Sequence, residues 1–109
     1  MKFILSHHAY RSIVEECLSF PEVETGGILV GKKIDDQCIV APFTLGSGKS
    51  SFRTRTRYSP DVQWQQVHLE KLFNRYGVNY VGSYHRHPGN YSVPSFYDYK
   101  AACQIVTDP

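Results

Sequence analysis

The chain has 109 residues, with 12 Lys and Arg against 10 Asp and Glu, which gives a formal net charge of +2. This length suits one domain, whose core typically occupies roughly 100–150 residues, and a composition of 41% apolar and 20% charged residues excludes a disordered or fibrous protein. No apolar run reaches the roughly 18–20 residues of a membrane span, and the near-neutral charge gives no general argument for nucleic-acid binding.

The first segment predicts a strand followed by a helix. Residues 2–5 are read as a short strand. Ser6 is a suitable N-cap for a helix that runs to about Leu18, because apolar residues recur there at four-residue spacing. Pro21 closes this segment.

The middle of the chain predicts three strands. Residues 27–31 form a compact apolar run between glycines that is too short for a helix, which indicates a buried strand. A turn at 35–36 and a strand at 38–40 complete a hairpin. Residues 46–51 are rich in Gly and Ser and predict a loop, and the alternation over 52–58 predicts a third strand.

A second helix and a following strand are clearly marked. Ser59 as N-cap, Pro60 in the first turn and the acidic Asp61 together predict a helix start. Gly77 ends that helix, and residues 78–85 predict the next strand.

The last segment predicts a loop at 86–94, a third helix that begins at Ser95, and a final strand at 104–107. With no linker or internal repeat, residues 1–109 are expected to form a single α/β domain with a central mixed sheet flanked by helices.

The cysteines and the N-terminus favour a cytoplasmic protein. Cys17, Cys38 and Cys103 are odd in number and widely spaced, which argues against a disulfide framework. The apolar residues after Met1 are too few for a signal-peptide core.

The strongest candidate site combines His85, His87 and Asp98. Histidines at i and i+2 on a strand point to the same face, with Cα atoms about 6.6–7 Å apart. Their imidazoles can therefore converge on one metal ion, and the loop after Pro88 can return to deliver Asp98 as a third ligand. Two histidines and one carboxylate leave a tetrahedral zinc ion one open position, which suits catalysis.

Each part of this pattern has a structural alternative. Ser95 and Asp98 also match an N-cap with an acidic residue three positions later. Glu24, which comes just before a Gly-rich apolar run, can be an ordinary carboxylate at the entry of a strand.

Taken together, these residues resemble the signature of the JAB/MPN (JAMM) zinc metalloprotease family. The matching features are the run His85-x-His87-Pro88, a spacing of ten residues between His87 and Asp98, and the run Pro94-Ser95-x-x-Asp98. An upstream glutamate in Glu24-Thr25-Gly26-Gly27 also matches. The resemblance spans roughly residues 3–107, and the chain is similar to the compact prokaryotic members of the family.

The resemblance implies a deaminase-like α/β fold and a zinc-dependent hydrolase. His85, His87 and Asp98 would be the Zn²⁺ ligands, with water as the fourth. Glu24 would act as general base and pass the proton to the leaving amine, and Ser95 would hydrogen-bond the oxyanion. The implied substrate is an amide or isopeptide bond at the C-terminal tail of a ubiquitin-like protein or its conjugate.

Two features depart from the family pattern. Arg86 stands between the histidines where the family often has Ser or Thr, and on a strand it should point away from the metal. The chain stops at Pro109 where relatives usually continue, so we expect either a truncated C-terminus or a minimal variant with an exposed sheet edge.

Two readings from other classes stay open. A non-catalytic scaffold of the same fold would not need the five-residue site. Arg53, Arg55 and Arg57 would share one strand face, which predicts either a solvated surface or, less favoured, a nucleic-acid patch. A third alternative for this face is docking of an acidic protein surface.

Overall fold

The computed structural model describes residues 2–88, 94–97 and 104–107. It contains the following elements in chain order: β1 (Lys2–Leu5), α1 (His7–Ser19), β2 (Thr25–Asp35), β3 (Cys38–Leu45), β4 (Phe52–Arg53), β5 (Tyr58–Ser59), α2 (Val62–Tyr76), β6 (Asn79–Arg86), β7 (Ser95–Tyr97) and β8 (Gln104–Thr107). No helix among the described residues is both long and apolar enough to span a membrane.

Six of the strands form one mixed sheet in the order β7-β6-β2-β3-β1-β8. Strand β1 runs parallel to β3 and β8, whereas the pairs β2–β3, β2–β6 and β6–β7 are antiparallel. The expected α/β fold with a central mixed sheet is confirmed. Strand β2 is paired on both sides and its first seven residues are largely buried, so it joins the two halves of the sheet.

Helix α1 begins where the sequence predicts. The Ser6 hydroxyl accepts a hydrogen bond from the Ala9 N–H at 3.0 Å and donates one to the Pro42 carbonyl at 2.8 Å. Ala9, Ile13 and Cys17 form the buried stripe of the helix, as their four-residue spacing predicts. The cap therefore starts the helix and also ties it to strand β3.

The predicted strand over 52–58 is wrong. Strands β4 and β5 are two residues each and form a separate two-stranded hairpin, in which Phe52 pairs with Ser59. Between them the Thr54 N–H donates to the Arg57 carbonyl at 2.8 Å and the Thr56 N–H donates to the Thr54 hydroxyl at 3.3 Å. These local bonds close a turn that the alternation of Arg and Thr does not reveal.

The start of helix α2 is also shifted. Asp61, not Ser59, is the N-cap, and its carboxylate accepts a hydrogen bond from the Trp64 N–H at 3.1 Å. Ser59 is held in β5 by its pairing with Phe52. Gly77 ends the helix as predicted, with φ of 69° and its N–H donating to the Phe73 carbonyl at 2.8 Å.

The helix predicted to begin at Ser95 is wrong, because residues 95–97 form strand β7. Tyr97, Phe96 and Ser95 pair with Ser83, Tyr84 and His85 of β6 in antiparallel register. Phe96 is buried against Tyr84, and this burial outweighs the capping pattern. The loop predicted over 86–94 begins one residue later, since Arg86 belongs to β6. Most of that loop lies outside the described residues.

Gly82 sits at a close contact within the sheet, which predicts a loss of stability on substitution. A Cβ at this position would meet the Phe3 ring and lie 2.5 Å from the Tyr97 carbonyl oxygen. We expect Gly82→Ala to lower the free energy of unfolding by about 1–3 kcal/mol, the usual cost of overpacking. Urea denaturation measures the free energy of unfolding of both proteins. Ser83→Ala, at a half-buried neighbour, is the control and is expected to change stability by less than about 0.5 kcal/mol. Equal stability of the Gly82 variant and the wild type would contradict this packing.

Candidate active site

Two imidazoles converge at the end of strand β6. His85 is the penultimate residue of the strand and His87 follows its last residue. Their ring centroids are 4.6 Å apart, so the i, i+2 spacing brings both rings to one side of the strand as predicted. The His85 side chain is 35% exposed and that of His87 is 68% exposed. This pair is therefore reachable from solvent.

The carboxylate of Glu24 joins the two histidines. Glu24 directly precedes β2, whose pairing with β6 places Gly26 opposite His85. Its side chain is only 6% exposed; one oxygen (Oε1) contacts Nδ1 of His87 and lies 3.7 Å from Nε2 of His85. One ligand atom from each residue lies within 4.8 Å of the other two.

This donor set fits a metal ion. Nε2 of His85 is buried and has no hydrogen-bond partner among the described residues. Buried polar atoms are usually partnered, so a metal ion bound to this nitrogen would satisfy it. Burial lowers the pKa of His85, and this effect outweighs the opposing effect of the neighbouring Glu24 carboxylate. A lowered pKa favours the neutral imidazole, which is the form that binds metals.

Ser95 and Asp98, the other two predicted site residues, follow the histidines along the chain. Ser95 is exposed and pairs directly with His85 across β6 and β7. Directly paired residues of antiparallel strands project from the same face, so its hydroxyl belongs to the side of the sheet that carries His85. Asp98 lies outside the described residues, and its role as a ligand stays a prediction.

A hairpin that sequence reasoning did not anticipate covers Glu24. The Glu24 N–H donates to the Thr54 carbonyl in the β4–β5 turn at 2.7 Å. The Tyr58 ring lies with its centroid 5.8 Å from that of His85, and its edge lies 3.3 Å from where a Cβ of Gly26 would stand. Gly26 therefore leaves the space that Tyr58 fills. The sequence of this hairpin contains no pattern that predicts its contacts with Glu24 and His85.

A buried polar network supports the same region. One oxygen of Glu16 accepts hydrogen bonds from the Ser47 N–H at 2.9 Å and the Ser47 hydroxyl at 2.6 Å, and lies 3.4 Å from the Arg53 guanidinium. Arg53 also donates to the Thr25 hydroxyl at 3.1 Å, next to Glu24. The network links helix α1, strand β2 and the hairpin.

The predicted basic face of Arg53, Arg55 and Arg57 is wrong for Arg53. Its side chain is 13% exposed, is paired with Glu16 and has its guanidinium 3.6 Å above the Phe20 ring centre. Arg55 and Arg57 are exposed, but they lie at the turn of the hairpin and not on a continuous strand. The alternating residues therefore do not share one face.

Arg86 points away from the histidines, as predicted. The residue is buried, and its guanidinium donates to the carbonyl oxygens of Phe20 and Val23, the latter at 3.0 Å. It contacts the segment that joins helix α1 to Glu24.

Sequence comparison relates this chain to one protein family and to curated proteins with peptidase names. The family model described as prokaryotic homologs of the JAB domain (Prok-JAB) matches residues 6–107. The chain is 30% identical over 105 residues to the probable metalloprotease y4qB of Sinorhizobium fredii, covering 90% of this chain and 64% of that protein. It is 31% identical over 108 residues to the CD-NTase/cGAS isopeptidase of Enterobacter hormaechei, covering 96% of this chain and 58% of that protein. The chain thus spans about six tenths of the length of these curated relatives.

Proposed function

This chain belongs to the prokaryotic JAB family, and from that membership we propose that it is a zinc-dependent peptidase. Its proposed reaction is hydrolysis of an amide or isopeptide bond at the C-terminal tail of a ubiquitin-like protein or its conjugate. The observation that carries this proposal is the meeting of Glu24, His85 and His87 within 4.8 Å. The names of two relatives, a probable metalloprotease and an isopeptidase, support it.

The proposed ligands of the zinc ion are His85, His87 and Asp98. Imidazole nitrogens and a carboxylate are ordinary zinc ligands, and three protein ligands are typical of a catalytic site. When bound, zinc supplies a Lewis acid that polarises a carbonyl and lowers the pKa of water to about 7. Nε2 of His85 has no hydrogen-bond partner within the part of the chain that the structure describes, which supports its place in this set.

Glu24 is the proposed general base. Its carboxylate takes a proton from the attacking water as the oxygen–carbon bond forms, and delivers it to the leaving nitrogen as the carbon–nitrogen bond breaks. The hydrogen bond from the Glu24 N–H to Thr54 and the burial of the side chain keep this carboxylate close to the two imidazoles. A base held in this way does not need to reorganise during the reaction.

Ser95 is the proposed donor to the oxyanion of the tetrahedral intermediate. Its position directly opposite His85 supports this role, because the hydroxyl belongs to the face that carries the imidazole. A hydroxyl fixed on a strand provides a preorganised hydrogen bond where negative charge develops.

The substrate is tested with a ubiquitin-like protein fused through its C-terminal tail to a reporter. We expect cleavage after the tail that stops on addition of a chelator, with about one zinc ion per chain in the purified protein. The family resemblance implies a narrow channel for a tail ending in Gly, so replacing the terminal Gly residues by bulky ones should abolish cleavage. Equal turnover of both fusions would show an open, unselective site, and no cleavage of either would favour the scaffold reading.

A further inference from the structure

Arg86 is a buried charge that no carboxylate neutralises among the described residues. It is 4% exposed and takes part in none of the ion pairs formed by residues 2–88 and 94–97. Its hydrogen bonds go from one guanidinium nitrogen, Nη2, to the Phe20 and Val23 carbonyls. Burying a charge without a carboxylate partner is costly, and the two carbonyl oxygens offset part of that cost.

The two carbonyl oxygens bracket the segment that leads to Glu24. Phe20 is the C-cap of helix α1, and that helix has no basic residue in its last turn. The Arg86 guanidinium therefore supplies, from strand β6, the positive charge that the negative end of the helix dipole favours. Val23 is the residue directly before Glu24. Arg86 thus contacts both the end of the helix and the residue before Glu24.

The same residue is tied to the histidines through its backbone. Arg86 lies between His85 and His87, and it is the register partner of Thr25, the residue after Glu24. Its side chain extends to one side of the strand, towards residues 20–23, while the two imidazoles lie on the other. One residue therefore connects both histidines to the segments on either side of Glu24.

We propose that Arg86 is a positioning residue that sets the Glu24 carboxylate relative to the two imidazoles. This inference rests on the proposed role of Glu24 as general base. Glu24 is also held through its own backbone, because its N–H donates a hydrogen bond to the Thr54 carbonyl of the β4–β5 turn. Loss of the two Arg86 hydrogen bonds releases Phe20 and Val23 from the Arg86 side chain, so the Glu24 carboxylate can shift. A displacement of about 1 Å at a catalytic group costs about 10²-fold in rate.

The deciding variants are Arg86→Met and Arg86→Lys. Met has similar length and no donor, so it removes both hydrogen bonds and the charge, whereas Lys keeps the charge and a donor on a shorter stem. The matched control is Gly77→Ala, which strains the left-handed C-cap of helix α2 and lowers stability at the end of β6 opposite to His85. Zinc content, melting temperature, kcat, KM and hydrogen exchange of residues 20–25 are measured for all of them.

For Arg86→Met we expect unchanged zinc content, a kcat lower by about 10²-fold, and KM within about threefold of wild type. The Glu24 amide should exchange about tenfold faster, since local opening of the segment sets its rate. Arg86→Lys should recover part of both losses. Gly77→Ala should lower the melting temperature while kcat and exchange at residues 20–25 stay at wild-type values.

The proposal is overturned if Arg86→Met lowers only the melting temperature and leaves kcat and exchange at Glu24 unchanged. If the Met variant does not fold, Arg86→Lys decides: joint losses of kcat and protection support the proposal, and a loss of melting temperature alone overturns it. If the wild type cleaves no fusion, the proposed function fails. Hydrogen exchange still shows, independently, whether Arg86 holds Glu24.

Discussion

Replacing Glu24 by Gln is expected to lower turnover by about 10²–10⁴-fold, or roughly 3–5 kcal/mol of barrier. Gln has nearly the same size and can still hydrogen-bond a water molecule, but it cannot accept a proton from it. Glu24 is not one of the three proposed ligands, so the variant should keep its metal, its fold and its affinity for substrate. Single-turnover cleavage is measured beside metal content and melting temperature.

Glu22→Gln is the matched control for this substitution. Glu22 is exposed and lies two residues earlier in the same segment, so it tests the loss of one carboxylate without touching the site. We expect it to cleave at the wild-type rate. Loss of metal from the Glu24 variant would make Glu24 a ligand and not a base. Wild-type cleavage by the Glu24 variant would remove the residue from the mechanism, as the scaffold reading requires.

His85→Ala and His87→Ala are each expected to weaken zinc binding by more than about 100-fold. Changes to residues that merely orient zinc ligands already cost about 10–100-fold in affinity, and removal of a ligand itself is more severe. Asp98→Ala applies the same test to the third proposed ligand. Competition with a coloured chelator measures the affinity, and elemental analysis measures the zinc content of each purified variant.

His7→Ala serves as the control, because His7 is exposed in the first turn of helix α1. It should bind zinc as tightly as the wild type. Full zinc occupancy in the variants of His85, His87 and Asp98 would refute the ligand assignment. Occupancy lost in the two histidine variants but kept in Asp98→Ala would leave the histidines as ligands and point to Glu24 as the third.

The local parts of the fold could be predicted because short-range chemistry decides them. Ser6 as the cap of α1 and Gly77 as the end of α2 follow from hydrogen bonds and φ preferences within a few residues. The convergence of His85 and His87 follows from the two-residue period of a strand. These local patterns do not show that Glu24, about 60 residues earlier, lies next to the two histidines. The expectation that it does came from the family resemblance.

Long-range packing overrides the helix expected from Ser95, whereas a local turn breaks the strand expected over 52–58. The Ser95-x-x-Asp98 pattern suits a helix cap, yet pairing with β6 and burial of Phe96 against Tyr84 make residues 95–97 a strand. The alternation over 52–58 suits a strand, yet the turn bonds of Thr54 fold it into a hairpin. Strand pairing is a contact between distant segments, so a local pattern does not specify it.

By itself, then, the sequence determined the candidate site residues and those helix ends that a local cap sets, the start of α1 at Ser6 and the end of α2 at Gly77. Only the tertiary structure decided what holds the site together. The pairing of β2 with β6 brings Glu24 to the histidines, the Thr54 turn covers it, and Arg86 reaches the carbonyls of Phe20 and Val23. The physical reason is that a buried donor binds whichever carbonyl the fold brings within about 3 Å, and sequence spacing carries no record of that distance.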